Sequence, residues 1–485
     1  MKIAFRADAS VEIGAGHVMR CLTLADVLLS RGVETVFLCR KVDGHLGDLI
    51  RARGHGLDWL PDTGTDAEDS AAALAPGAPW DYLVVDHYGL GADWERAQRS
   101  LVKRILAIDD VANRAHDCDL LLDQNLQEAG RYDGLVPADG RLLIGPRFAL
   151  LRPQFAAARG AIRVGQVRRL LVFFGGVDAG GETLKALAAL ELLARGDLLV
   201  DVVIGQSNPH HAAIAAACRG GFGATLHHQV EDMAARMTAA DLFLGAGGAS
   251  SWERCCLGLP ALVLATADNQ IDQSTALAQA GAQAYLGPAA TVTAEHLARA
   301  LASLIDLPDL LIHMARQGAA LVDGRGASRV AHHLLAVAVE IRRAQPGDCA
   351  DVFAWRNHPE TRRYSLDSAE IDWQAHSDWF ARVLADPGRE LLIAEEDGRP
   401  VGVLRYDLEA GCARISIYLQ PGLGGRGLGV RLLLAAEAWL CRERGDVQAL
   451  EAEIRVDNMA SMAAFQAAGF SSMRTLLRKE LRDRH

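Results

Sequence analysis

No stretch of these 485 residues approaches the ~20 consecutive apolar positions that cross a hydrocarbon core, and the N-terminus lacks the apolar segment of a secretory leader. Those absences predict a cytoplasmic protein with no membrane partner. The nine cysteines include no C-x-x-C pair and no Cys/His spacing suited to zinc, so neither a zinc module nor a disulfide framework is expected. Adjacent Cys255 and Cys256 read as buried helix packing rather than as a ligand pair. Positive charge is also short. The net charge of −11 argues against a general nucleic-acid binder, whose affinity rests on neutralising phosphates. A small anion is not excluded, because helix N-termini and a few placed basic residues can hold one locally. With no low-complexity tail and half of its residues hydrophobic, the chain is long enough for two to four globular domains.

What is present begins at the N-terminus. The strand Ile3-Ala4-Phe5 runs into Arg6-Ala-Asp8-Ala-Ser-Val-Glu-Ile-Gly14-Ala-Gly16-His17-Val-Met-Arg20, which opens a helix with apolar Val18, Cys21, Leu22, Ala25, Leu28 and Leu29. Glycines and a histidine thus occupy a strand-to-helix turn at the carboxyl end of a first strand, where open α/β folds place their ligand crevice. Glycine lets backbone approach a ligand closely, and imidazole can accept a proton near neutrality. Read alone, the segment is equally a tight turn with an incidental histidine.

Short apolar runs alternate with helical patterns from Met1 to about Phe155, and the alternation restarts at Leu170-Leu-Val-Phe-Phe174. This predicts two doubly wound Rossmann-like domains, 1–155 and 156–335, around a cleft. After residue 340 the character changes. Strands at 390–395, 401–406 and 413–419, with a hairpin turn at Asp397-Gly398, predict a third, antiparallel α+β domain at 340–485.

Three later strand ends carry ligand-suited residues. Phe173-Phe-Gly175-Gly176-Val-Asp178 is a candidate phosphate turn. Gly245-Ala-Gly247-Gly248-Ala-Ser250-Ser251-Trp-Glu253 is a strand, a glycine loop and a helix start, with Ser250 or Ser251 expected as N-cap facing an anion. Glu253 can accept ribose hydroxyls or merely complement the helix dipole. Ala265-Thr-Ala-Asp-Asn269-Gln270 offers amides and a carboxylate. Asp109-Asp110 reads as a solvated turn rather than a metal pair.

Taken in order, RADAS-x-x-IGAGHVMRCL, VVDHY, FFGGVD, GAGGASSWERCCLGLP and ADNQ resemble the UDP-2,4-diacetamido-2,4,6-trideoxy-β-L-altropyranose hydrolases of pseudaminic acid biosynthesis, over residues 1–330. The resemblance implies the GT-B architecture of the MurG-type glycosyltransferases, with water as acceptor, inversion at the anomeric carbon and no metal. It implies His17 as catalytic base. Arg6, Asp8, Gly14, Gly16, Arg20 and Tyr88 would lie on the sugar side, with Asp8 either orienting His17 or forming a turn. Gly175, Gly176, Gly247, Gly248, Ser250, Ser251, Glu253, Asn269 and Gln270 would hold the UDP-sugar.

Strand Ile415-Ser-Ile-Tyr-Leu419 precedes Gln420-Pro-Gly-Leu-Gly424-Gly425-Arg426-Gly427-Leu428-Gly429 and a helix, a nest of amides suited to a diphosphate. With Asn458, Ser461 and Phe465 downstream, residues 342–483 resemble the GNAT acetyltransferases. Trp355-Arg-Asn-His358 and His376-Ser-Asp-Trp379 resemble the enzyme that N-acetylates UDP-linked 4-amino sugars. The resemblance implies acetyl-CoA as co-substrate, bound by Leu419, residues 424–429, Asn458 and Ser461. The family's usual Gln or Arg is Gly424 here. The tyrosine that protonates the departing thiolate is Phe465, leaving Glu453, Ser461 or Tyr418 as substitutes. His376 and Trp379 either meet the sugar or pack a helix. The implied whole is a bifunctional enzyme acting on a UDP-linked amino sugar. The alternative is a GT-B glycosyltransferase with a non-catalytic or protein-acetylating GNAT domain.

Overall fold

The computed structural model describes residues 1–473 except 163–164, 221–222, 229, 231, 337–338, 366, 426 and 445. Contacts divide the chain into a unit Met1–Val330 and a second that begins at Ala331.

The first unit holds two parallel sheets. One comprises β1 (Lys2–Ala7), β2 (Glu34–Cys39), β3 (Gly56–Trp59), β4 (Tyr82–Asp86), β5 (Ile105–Ile108), β6 (Leu120–Asp123) and β7 (Arg141–Ile144), in the order β3-β2-β1-β4-β5-β6-β7. Its central strands are buried almost continuously rather than at alternate positions, the pattern of a sheet covered on both faces; β4 is buried at every position. The other comprises β8 (Arg169–Phe173), β9 (Leu199–Ile204), β10 (Ala224–His228), β11 (Leu242–Ala246), β12 (Ala261–Ala265) and β13 (Ala284–Pro288), in the order β10-β9-β8-β11-β12-β13. The winding reverses between β1 and β4 in one sheet and between β8 and β11 in the other. Crevices at the carboxyl edge open at such reversals. The histidine turn and both glycine loops follow strands that flank them.

The second unit is a sheet of β14 (Val339–Arg343), β15 (Arg389–Glu396), β16 (Arg399–Glu409), β17 (Cys412–Leu419) and β18 (Ala449–Ala452), antiparallel except for the parallel pair β17–β18. Positive φ at Asp397 (52°) and Gly398 (70°) makes the β15–β16 hairpin, the right-handed twist of the strands favouring such a turn. Helix Leu428–Glu443 lays Leu432, Leu433, Ala436, Trp439 and Leu440 on the sheet. Each buried leucine there contributes about 2 kcal/mol.

Candidate active sites

At the first reversal, register pairs Ala7 of β1 with Asp86, the last residue of β4. Helix Gly16–Leu29 starts above them, and His17 Nδ1 lies 2.7 Å from Asp86 Oδ1. Asp86 is fully buried, and Arg20, one turn along the same helix, donates to both of its oxygens at 2.5 and 2.6 Å. Arg20 also pairs with Asp110 at 2.9 Å. Burial alone would raise the Asp86 carboxyl, but Arg20 and His17 outweigh it and hold it at about 2. An ionised carboxylate only accepts, so Nδ1 is the nitrogen that donates to it and Nε2 is the one left facing away from it. Tyr88 stands edge-on to the His17 ring, centroids 4.7 Å apart. Burial, helped by Asp110, pushes its hydroxyl up to about 12, so it stays protonated.

Several expectations change here. Asp8 does not orient His17: its oxygens accept from Arg6 at 2.7 Å and from the Arg40 amide at 2.7 Å. Arg6 does not line a sugar pocket. It is 1% exposed and locked between Asp8 and Asp66, whose pairing outweighs burial and keeps it charged. Asp109-Asp110 is no solvated turn. Asp109 is buried and accepts from the Ala112 amide and Arg114, while Asp110 belongs to the Arg20 cluster. Gly14 closes the loop before the helix by pairing with Ser10, at φ +78°, and Gly16 is the first helical residue.

Two helix N-termini of the second lobe follow its glycine loops, and they differ in whether a side chain already caps them. Gly175 (φ +98°) and Gly176 follow β8. However, Asp178 accepts from the Glu182 and Thr183 amides at 2.9 Å, so helix Glu182–Leu193 is already capped by a carboxylate. Helix Ser250–Leu257 has no such cap. Its N-cap is Ala249 without a side-chain bond, which corrects the expectation for Ser250 and Ser251. The glycine loop enters helical geometry one residue early, placing both serines inside the first turn, buried. The unbonded amides of a first turn and the positive end of the dipole favour an anion there. Gly247 is required by close approach: a Cβ would lie 2.1 Å from Ser274 Oγ.

Glu253, in the same first turn, accepts from Arg152 at 3.3 Å; burial raises its carboxyl and Arg152 opposes the rise. Asn269 donates to the Tyr88 hydroxyl at 3.4 Å, bringing the two lobes of this unit together beside His17. Gln270 accepts from the Thr266 amide at 3.0 Å. Asp86, Asp110 and Arg152 were missed in the sequence. For Asp86 there was a signal, a lone acid ending a wholly apolar strand at the winding reversal. Among the described residues no group of three or more His, Cys, Asp or Glu is placed to hold a metal ion.

In the second unit, β17 pairs with β18 only from Cys412 to Ile415 and then continues to Leu419 paired on its β16 side alone. The Gln420 amide donates to Val401 at 2.9 Å, so alternation turns the Leu419 amide away from β16 and into the gap where β18 has stopped. Gly425 and Gly427 have positive φ (82° and 71°), and Gly427 caps helix Leu428–Glu443 without a side-chain bond. Leu428 is its first residue and Gly429 its second. Arg426 lies outside the described residues. Glu360 sits beside the loop, accepting from the Gly422 amide at 3.1 Å with its other oxygen 3.6 Å from a Cβ position at Gly424.

Asn458 Oδ1 accepts from the Ser461 amide at 3.1 Å as the cap of helix Met459–Ala467. Phe465 packs edge-on against Phe470 in the core. Of its substitutes, Glu453 is exposed, and the Tyr418 hydroxyl, pushed up by burial, points at the Val352 carbonyl. His376 packs rather than meets a ligand. It is 2% exposed among Phe353, Trp379 and Phe380, and burial lowers its pKa.

Two switch-point sites facing one another in a pair of Rossmann-like lobes, followed by a splayed sheet with a glycine loop, define a GT-B nucleotide-sugar fold joined to an acetyltransferase fold. Comparison with known proteins makes this particular. Residues 339–471 match the Acetyltransferase (GNAT) domain family and form such a domain. The spore coat polysaccharide biosynthesis protein SpsG of Bacillus subtilis is 26% identical over 335 residues, 68% of this chain and 96% of its own. The UDP-2,4-diacetamido-2,4,6-trideoxy-β-L-altropyranose hydrolase of Campylobacter jejuni is 28% identical over 216 residues, 43% of this chain and 72% of its own. The crystal structure of Acinetobacter baumannii MurG superposes with a TM-score of 0.51 over 68% of this chain and 98% of that one, at 17% identity, which establishes the fold. No helix among the described residues is long and apolar enough to cross a membrane.

Proposed function

We propose that the chain carries out two consecutive reactions on one nucleotide sugar. The GNAT domain acetylates the 4-amino group of a UDP-linked 4-amino-4,6-dideoxy sugar. The first unit then hydrolyses the product, UDP-2,4-diacetamido-2,4,6-trideoxy-β-L-altropyranose, with inversion, as a cytoplasmic step of pseudaminic acid biosynthesis. The observation that carries the hydrolytic half is the His17–Asp86 pair at the β1/β4 reversal, with an uncapped glycine-loop helix in the facing lobe.

In this reading His17 Nε2 takes a proton as a water oxygen bonds to the anomeric carbon, and the carbon–oxygen bond to UDP breaks. Asp86 stabilises the imidazolium that forms. A positioned base of this kind contributes about 10²–10⁴-fold. The departing diphosphate is received by the amides of Gly248, Ala249 and Ser250, which lie where its charge grows. Glu253 accepts from the ribose, and Asn269 and Tyr88 contact the sugar.

For the second unit, acetyl-CoA supplies the activated acyl group. The residues present fit it: the Leu419 amide faces the open side of β17, and the positive-φ glycines lead into an uncapped helix. Leu419 N–H polarises the acyl carbonyl, and the loop before Leu428 holds the diphosphate. With Phe465 in place of a hydroxyl, water carries the proton lost by the attacking amine to the thiolate.

Feeding UDP-2-acetamido-4-amino-2,4,6-trideoxy-β-L-altrose with and without acetyl-CoA, with products followed by mass spectrometry, tests the scheme. UDP release that depends on acetylation is expected; no product in either arm overturns it.

A further inference from the structure

Arg152 sits in the segment between the two lobes of the first unit, and three features fix it there. Pro153 follows it, and the residue before proline is restricted to extended backbone; Arg152 has φ −57° and ψ 141°. Its guanidinium lies 5.2 Å from the centroid of the fully buried Phe155 ring. Its Nη2 donates to Glu253 Oε1 at 3.3 Å, both side chains being about one-fifth exposed.

Glu253 has two problems if the helix start it occupies receives a diphosphate. Burial favours its neutral form, and the incoming phosphates add negative charge close by. Either effect removes the acceptor that a ribose diol needs. An arginine donating to one carboxylate oxygen opposes both and leaves the other oxygen for the ligand.

We infer that Arg152 is a positioning residue for ribose recognition: it grips one oxygen of the Glu253 carboxylate and fixes its orientation, so that one helix N-terminus accommodates a carboxylate and a diphosphate together. This rests on the proposed nucleotide site. It makes Arg152 a determinant of the preference for ribonucleotide over deoxyribonucleotide, with no contact of its own to the sugar.

The test is calorimetric binding of UDP and 2′-deoxy-UDP to the full chain and to Glu253→Gln, Arg152→Met and Arg152→Lys. The full chain is expected to prefer UDP about tenfold, the worth of a hydrogen bond to a charged acceptor. That preference should collapse to near unity in both Glu253→Gln and Arg152→Met and recover in part in Arg152→Lys. If Arg152→Met weakens both ligands equally and keeps the preference, Arg152 is merely structural and the inference fails while the nucleotide site stands. If Glu253→Gln retains the preference, or the full chain shows none, the ribose role of Glu253 itself is wrong. Absence of UDP binding by the full chain overturns the site and the inference together.

Discussion

His17 Nδ1 and Asp86 Oδ1 meet at 2.7 Å, although 69 residues separate them. The contact exists because β1 and β4 are adjacent and end at the same height. A parallel sheet whose winding reverses there delivers the end of one strand and the helix start after the other to a single point.

That geometry predicts separable effects. His17→Ala removes the proposed base and should lower the rate of UDP release by about 10²–10⁴-fold. It should leave UDP binding and acetyl transfer unchanged. Asp86→Asn should slow release comparably, because an amide oxygen stabilises the imidazolium less well and the proton on Nδ1 is no longer enforced. Single-turnover release of UDP, alongside calorimetry, checks both; a His17→Ala enzyme with normal turnover would remove histidine from the mechanism.

Stability should have two pH edges. The Asp86 and Asp66 carboxyls lie at about 2 in the folded chain, held there against burial chiefly by Arg20 and by Arg6. Their contribution is present above the unfolded value near 3.9 and is lost as pH falls towards 2. His116 behaves oppositely. Burial disfavours its charge, but Asp109 and Glu95 prevail and raise it to about 9. Its stabilisation is complete below about 6.5 and disappears as pH rises through 9, with a magnitude on the order of 3 kcal/mol. Denaturation midpoints should therefore fall between pH 6.5 and 9. In His116→Gln that slope should be absent, at a lower plateau; an unchanged slope would assign it to another group.

Much of this was legible in the sequence, and the exceptions share a cause. Apolar runs, glycine turns and helix periodicity are local, so the two Rossmann-like lobes, the hairpin at Asp397-Gly398 and the loop before Leu428 could be read directly. Side-chain partnerships across the sheet could not. Asp8 is nearer than Asp86 to His17 along the chain, yet only a strand order places Asp86 beneath the histidine and turns Asp8 towards Arg6 and Arg40. Arg6 reads as a sugar-side residue because nothing local announces Asp66. Ser250 and Ser251 had the right chemistry for a cap, but the turn geometry of Gly247-Gly248 moved the helix start by a residue.

Gly247 should tolerate a methyl group only if its neighbour gives way. The Cβ of Gly247→Ala would fall 2.1 Å from Ser274 Oγ and 3.3 Å from Val263 Cγ1. Overpacking of this kind costs about 1–3 kcal/mol and here would displace the glycine loop that leads into helix Ser250–Leu257. Ser274 Oγ is buried without a hydrogen-bond partner among the described residues, so Ser274→Ala should cost little and should restore most of the loss in the double variant. Thermal melts with and without UDP read this out; additive effects would mean that the loop moves as a whole.

Glu360 faces the glycine loop of the GNAT domain with a full negative charge, on the side where a coenzyme diphosphate is expected. Glu360→Gln keeps an acceptor for the Gly422 amide and removes the repulsion. KM for acetyl-CoA should fall about two- to fivefold at low salt and converge on the parent value at high salt, because an exposed charge is screened. A salt-independent change would point to altered loop packing instead.

Phe465 offers a gain-of-function test. Its ring is 4% exposed, set edge-on against Phe470, and lacks the hydroxyl that the acetyltransferase resemblance leads one to expect. If water carries the thiolate proton, kcat for acetyl transfer should show no alkaline fall from a titrating acid. Phe465→Tyr should raise kcat about tenfold, within the range of general-acid catalysis, and introduce a fall near pH 10 as the phenol ionises. The added hydroxyl must also find a partner, or its burial costs about 1–3 kcal/mol. A destabilised Phe465→Tyr variant with unchanged kcat would show that proton delivery never passes through this position. A raised kcat with the new alkaline limb would place the thiolate beside residue 465.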